Sequence, residues 1–282
     1  MKFYIKKTSK VLLLIIILIV AYLSIMEIKK YKNNVVSVNS NSYENKEGNF
    51  KVIYYYNREN EKRYESYKEK NPGISDDDIV WMVNANIDNE FYTNTKQIQS
   101  VDSELLLVNK YNKLPDDYVP KNLVQLDSGH YVTADTKAAF DKIKDDATKK
   151  GYKIGVASSY RSISSQKYLY NKYLKEDSQE KVDTYSSRPG YSEHHTGEAI
   201  DLIGSFGSIE EFEQTKESKW IEENAYKYGF IIRYKKGFEK ITGYEYEPWH
   251  IRYVGVKIAT EMKEKNINTL EEYYEKYIKN KK

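Results

Sequence analysis

Two short stretches of the chain hold side chains that can do chemistry together. "SEHHTGEAIDL", residues 192–202, carries His194 and His195 side by side and Asp201 on an otherwise apolar run. "EPWH", residues 247–250, adds Glu247 and His250. The chain has no cysteine, so any metal it binds is held by His, Asp or Glu. A hydrolytic zinc ion takes three such ligands and leaves its fourth tetrahedral position to water, whose pKa falls to about 7. One histidine of the pair His194 and His195, then Asp201, then His250 would supply that set from a loop and two strands. Nothing here is a helical H-E-x-x-H arrangement, so a sheet has to assemble the site. Glu247 lies three residues before His250, and Pro248 between them breaks strand parity, so both side chains can face one cavity with Glu247 as general base. Arg161 follows a predicted strand and offers a planar donor fork that suits a carboxylate or a polarised carbonyl oxygen. Gln166, near the start of the next helix, can hydrogen-bond a peptide.

Taken one at a time these residues have plain readings, a strand histidine as packing and an arginine after a strand as surface charge. What argues for a site is their company. Three of the four histidines, a glycine-flanked turn and an aspartate on an apolar strand fall in one half of a histidine-poor chain. His130, in "LDSGHYV", stands apart as a turn residue.

The elements that must position this set are readable from spacing. "YKIGVASSY" is a core strand delivering Arg161, and "SISSQKYLYNKYL" is the helix behind it. "KEDSQEKVDTYSSRPGY" is a polar loop leading into the histidine cluster, and its residues 175–187 are the candidate for closing the site. "SKWIEENAYKYG" is an amphipathic helix stopped by Gly229, and "FIIRY" and "YEYEPWHIRYVG" are strands. Two helices end the chain, the last opened by a capping box from Thr269 to Glu272. Upstream, "FKVIYYY" is a short strand or extended arm, a charged helix ends at Pro72-Gly73, and Ser75 opens a helix with acids in its first turn. Leu105–Val108 is a buried strand, and residues 133–150 form a helix with Ala139, Ile143 and Ala147 on one face and Gly151 as its C-terminal cap. Helices alternating with hairpin-like strand pairs indicate an α+β domain built on an antiparallel sheet.

At 282 residues and 40% hydrophobic content the chain supports one main domain. Its 45 basic and 42 acidic residues are mixed along the sequence, which argues against nucleic acid as a partner. The 29 tyrosines have no functional account. Residues 1–10 are basic and precede an apolar run over residues 11–26, which reads as an uncleaved signal anchor with the body of the protein extracytoplasmic. Residues 27–49 are polar and aperiodic, a disordered tether. That leaves residues 50–282 for the folded domain, with an N-terminal extension to about residue 100 and a core over about residues 101–267.

The motif S-x-H-x-x-G-x-A-x-D, spelled by Ser192, His194, Gly197, Ala199 and Asp201, followed by E-x-W-H at Glu247 to His250, resembles the signature of the VanY-type D-alanyl-D-alanine carboxypeptidases. The likeness extends through "NPGIS", "LLLVNKYNKLPDDYVP", "SSYRS", "FIIRY" and "EPWHIRYVG", covering roughly residues 54–267. The resemblance implies a single zinc ion on His194, Asp201 and His250, with His195 only a neighbour. It implies Glu247 as catalytic base, Arg161 as stabiliser of the scissile carbonyl, and Gln166, Ser192 and Tyr234 lining the peptide pocket. The implied fold is the small α+β zinc peptidase fold, a central antiparallel sheet flanked by helices, here with an N-terminal transmembrane anchor. The implied activity is removal of the terminal D-alanine from a peptidoglycan stem peptide by a monomer facing the cell wall. A D,D-carboxypeptidase acting on the pentapeptide, an L,D-carboxypeptidase acting on the tetrapeptide, a cross-bridge endopeptidase and a wall-binding module that keeps zinc for structure all remain open.

Overall fold

The computed structural model describes residues 49–279 except Glu104 and Ser128. The segments expected to be a basic N-terminus, an anchor and a tether lie outside them, apart from Asn49. Among the described residues no helix is long and apolar enough to cross a membrane.

Helices α1 (Glu61–Lys70) and α2 (Asp76–Asn84) come first. Ser75 caps α2 by accepting from the Asp78 amide, and Asp76, Asp77 and Asp78 sit in the first turn where the helix dipole favours them. The pair gathers its own apolar cluster, with Tyr64, Ile79, Val80 and Val83 buried against Phe50 and Tyr55. That cluster explains a departure from expectation at "FKVIYYY". Phe50–Val52 is a 3-10 turn rather than a strand, because Phe50 and Tyr55 fold into the helix pair.

Two short parallel strands, β1 (Lys96–Gln97) and β2 (Asn112–Lys113), and a hairpin, β3 (Leu123–Asp127) with β4 (His130–Thr133), follow. Leu105–Val108 is buried as its composition requires, but it is not a strand. It is an arm whose Leu105 and Leu107 pack on Ile231 and whose Leu106 carbonyl accepts from Arg252 at 3.1 Å. His130 opens β4 rather than sitting in a turn, its Nδ1 3.3 Å from Ser159 Oγ. Thr133 caps α3 (Ala134–Lys149), which buries Ala139, Phe140, Ile143 and Ala147, and Gly151 at φ +79° ends it as expected.

The rest of the chain runs β5 (Gly155–Ser158), α4 (Ile163–Tyr173), α5 (Gln179–Tyr185), β6 (Ala199–Ile203), α6 (Lys216–Asn224), β7 (Phe230–Tyr234), α7 (Glu239–Thr242), β8 (Glu247–Tyr253), α8 (Val256–Glu264) and α9 (Leu270–Tyr273). The segment read as a polar loop holds α5, capped by Ser178 and anchored by buried Val182. The central sheet has the order β5-β6-β8-β7, antiparallel throughout. β5, expected in the core, is an edge strand and only half buried.

Alternation sorts two chemistries onto the two faces of this sheet. Ile200, Leu202, Phe230, Ile232 and Ile251 pack with Phe140 and Ile143 of α3 and Ile221 of α6 in the main core. The intervening residues Asp201, Arg233, His250 and Arg252 belong to the opposite face, and they are buried as well. A sheet covered on both sides but charged on one face has to pair those charges internally.

Candidate active site

Register brings the candidate metal-ligating residues together. Asp201 on β6 stands directly opposite His250 on β8, and His194 arrives from the 3-10 turn Glu193–Thr196 just before β6. The His194 Nε2 lies 3.0 Å from Asp201 Oδ2, and the His250 Nδ1 lies 2.9 Å from Asp201 Oδ1. One donor atom from each residue falls within 4.8 Å of the others. Two imidazole nitrogens and a carboxylate oxygen, all buried and fed by three separate segments, make a donor set that fits zinc and leaves room for a fourth ligand. His194 Nδ1 meets the Ser159 carbonyl at 2.8 Å, which fixes the tautomer and leaves Nε2 for a metal.

Electrostatics agree that a cation belongs there. Burial would push the Asp201 carboxyl up, but His194 and His250 hold it well below the usual range. Burial disfavours charge on His250, yet its bonds to Asp201 and Glu193 win and push it up to about 10. Burial keeps His194 below its ordinary value in spite of Asp201.

Glu247 begins β8 and stands opposite Tyr234 of β7, its Oε2 3.8 Å from His250 Nδ1. The expected break in parity is real. Between the pairs Ile232–Ile251 and Tyr234–Glu247, β7 has only Arg233 where β8 has Pro248, Trp249 and His250. Burial pushes the Glu247 carboxyl up to about 8, His250 pulling against it and the Asp201 charge adding to it.

A cleft of about 280 Å³ is lined by every predicted site residue: His194, Asp201, His250, Glu247, Arg161, Gln166, Ser192 and Tyr234. Arg161 lies in the link between β5 and α4, its guanidinium donating to Gln166 Oε1 at 2.6 Å and to Ser158 Oγ at 2.7 Å. Gln166 is buried, and its amide also donates to the Ser187 carbonyl at 2.8 Å. Its hydrogen bonds therefore hold Arg161 and the α5 side of the cleft together. Ser192 caps the 3-10 turn, its hydroxyl accepting from the His194 amide at 3.3 Å. The Tyr234 ring packs at a tilt against His250, centroids 4.9 Å apart, and burial raises its phenol well above the ordinary value, so it keeps its proton.

His195 points elsewhere. Its Nδ1 meets the Arg161 carbonyl at 2.6 Å and its Nε2 accepts from the Gly190 amide at 3.1 Å. It therefore pins the backbone of Arg161. Gly197 ends the turn at φ +70°, where a Cβ would come 2.9 Å from Leu123 Cδ2 and 3.3 Å from Thr133 N. The glycine of the motif is thus a close-approach residue.

Sequence reasoning missed a buried ionic layer behind the ligands. Glu193, Arg233, Arg252 and Glu271 have fully buried side chains. Arg233 Nε donates to Glu193 at 2.8 Å, and its two terminal nitrogens donate to Glu271 at 2.7 and 3.0 Å. Arg252 Nη1 stands 3.1 Å from Glu193 and its Nη2 binds Glu198. The signal was present in "FIIRY" and "HIRYV", where an arginine interrupts an apolar strand, since a buried charge implies a partner.

Known proteins resemble this chain over the region that carries the cleft. The family model described as D-alanyl-D-alanine carboxypeptidase, VanY, matches residues 129–256. The YodJ protein of Bacillus subtilis is 41% identical over 194 residues, covering 64% of this chain and 71% of that protein. A D-alanyl-D-alanine carboxypeptidase of Enterococcus faecium is 40% identical over 185 residues, 65% of this chain and 55% of that one. Among solved structures, the LdcB LD-carboxypeptidase aligns with a TM-score of 0.61 at 39% identity, covering 65% of this chain and 91% of that one. A vancomycin-resistance D,D-pentapeptidase VanY in complex with Zn(II) aligns with a TM-score of 0.53 at 32% identity, covering 60% and 98%.

Proposed function

The chain belongs to the VanY family of D-alanyl-D-alanine carboxypeptidases, and on that premise we propose that it is a zinc carboxypeptidase acting on peptidoglycan stem peptides, removing the terminal D-alanine of the pentapeptide as a D,D-carboxypeptidase. The observation that carries this is the meeting of the His194, Asp201 and His250 donor set with Glu247 in one cleft. Zinc held there supplies Lewis acidity toward a scissile carbonyl and toward water. Glu247, in the same cleft with its Oε2 3.8 Å from His250 Nδ1, is placed to take a proton from water and hand it to the leaving amine. Arg161 is held by Gln166 and Ser158 before substrate arrives, so its fork meets the substrate's developing negative charge without reorganising. Tyr234 and Ser192 line the peptide's place, and Gln166 acts chiefly by bracing Arg161.

A second reading, an L,D-carboxypeptidase acting on the tetrapeptide, is favoured by the likeness to the LdcB LD-carboxypeptidase. A wall-binding module with a structural metal is disfavoured, because such a site has no use for Glu247 in the cleft. We also propose that residues 11–26 anchor the protein in the membrane, that residues 27–49 tether it, and that the domain over residues 50–282 works as an extracytoplasmic monomer at the wall.

The test is mass spectrometry of zinc-loaded protein incubated with stem pentapeptide and with tetrapeptide in separate reactions, beside Glu247→Gln. Loss of one alanine from the pentapeptide alone supports the D,D reading, and loss from the tetrapeptide supports the L,D reading. The variant should be slower by about 10²- to 10⁴-fold, the usual worth of general acid–base catalysis. Zinc uptake without hydrolysis of either peptide would leave the wall-binding module as the better account.

A further inference from the structure

We propose that Glu193, between Ser192 and His194 in the motif, is a positioning residue for the metal centre: its carboxylate takes the Nε2–H of His250, so that Nδ1 is held toward the metal. The inference rests on the metal-centre reading above and concerns how the ligand is kept in place.

The geometry divides the labour of one carboxylate between its two oxygens. Glu193 Oε1 is 2.8 Å from Arg233 Nε and 3.1 Å from Arg252 Nη1. Glu193 Oε2 turns the other way and stands 3.4 Å from His250 Nε2. The opposite ring nitrogen of His250 is the one that faces Asp201, at 2.9 Å, and Glu247, at 3.8 Å. The ring is confined on its flanks by Tyr234, with centroids 4.9 Å apart, and by His194, edge-on at 5.1 Å. His194 has an equivalent support in the Ser159 carbonyl. Each histidine ligand thus has an acceptor behind it, and for His250 the acceptor is an anion.

Charge explains why the layer is built this way. A carboxylate with no exposed surface is stable as an anion only if it is paired and hydrogen-bonded. Arg233 and Arg252 supply that pairing, and Arg233 is itself locked by the two oxygens of Glu271 on α9. An ion pair kept for stability alone has no need to aim an oxygen at a metal ligand, since apolar residues often replace such pairs without loss. An outer carboxylate orients a histidine ligand and raises its basicity, and losing it typically costs about 10- to 100-fold in metal affinity.

The experiment measures Zn²⁺ affinity of the purified full-length protein by competition with a chromophoric chelator. It compares wild type with Glu193→Asp, Glu193→Gln and Glu198→Gln. Aspartate keeps the charge that Arg233 and Arg252 need but withdraws it from His250 by about one carbon–carbon bond, so the fold is retained while the contact is lost. Both Glu193 variants should bind zinc about 10- to 100-fold more weakly. Glu198→Gln removes a charge from Arg252 without touching His250, so its loss should fall short of the roughly 10-fold that marks a group bonded to a ligand. In ¹⁵N-histidine-labelled, zinc-loaded protein, the His250 Nε2-bound proton should lose its downfield position in Glu193→Asp. Wild-type affinity in Glu193→Asp, or an equal loss in Glu198→Gln, overturns the proposal. Wild-type protein that takes up no zinc overturns the metal-centre reading itself, a distinct result.

Discussion

Replacing Lys110 with methionine should change how stability depends on pH. Lys110 is 2% exposed, and its ammonium donates to the carbonyls of Gly243, at 2.7 Å, and Asp183. The rings of Tyr244, Phe91 and Tyr92 surround it, with centroids 4.2, 5.1 and 5.3 Å away. Burial pushes the ammonium down to about 8 from 10.5, the Asp183 charge opposing. Below pH 8 the folded and unfolded chains both carry the proton, and the cost of burying it is fully present. Between about pH 8 and 10.5 the folded chain releases its proton first, the unfolded chain binds more protons, and the stability of the wild type rises. The full gap is worth about 3 kcal/mol, of which about 2 kcal/mol falls between pH 7.5 and 9.5.

The methionine variant has no such titration and leaves both carbonyls without their donor, at a pH-independent cost of about 1–3 kcal/mol each. The assay is urea unfolding of both proteins across that range, analysed as wild type minus variant so that the 29 tyrosines cancel. A difference that stays flat or falls with pH would refute the reasoning, and would mean that the rings and carbonyls hold the proton as firmly as water does.

Other substitutions probe the ionic layer and the motif turn. Arg233→Met strands Glu271 without its paired guanidinium and should cost about 3–5 kcal/mol in urea unfolding. Adding Glu271→Gln should return part of that loss, and a double variant whose cost equals the sum of the singles would show that the two residues are not coupled. Gly197→Ala forces a side chain into a left-handed position 2.9 Å from Leu123 Cδ2 and should lower stability by about 1–3 kcal/mol or more. A thermal unfolding midpoint unchanged from wild type would remove the close-approach account of that glycine.

The cluster of His194, Asp201 and His250 was legible because its residue types are out of place, polar on apolar strands, and because Pro248 announces a break in alternation. Partners were another matter. Arg233 finds Glu271 38 residues along the chain, and Arg252 finds Glu193 in the turn before β6. A strand sequence marks such an arginine as anomalous without saying which acid it meets. α5 was hidden because a helix as short as Gln179–Tyr185 depends on tertiary contacts, including Lys110 at the Asp183 carbonyl, more than on its own periodicity. "LLLV" suggests a strand because a continuous apolar run encodes burial, and an arm lying across a covered sheet needs the same burial without pairing.

The ionic layer also changes what counts as the functional unit. The family match ends at residue 256, yet the chain of contacts that reaches His250 through Glu193 and Arg233 continues to Glu271 on α9. Asn109, in the link before β2, donates to Glu271 at 3.0 Å and holds it from the other side. Just beyond α9, Lys276 pairs with Asp77 of α2 at 2.8 Å, which braces that helix against the N-terminal layer. α9 therefore does more than decorate a peptidase core. It carries Glu271 onto Arg233 with both side chains fully buried, where the hydrogen bonds are stronger than in water and hold the layer behind His250 in place.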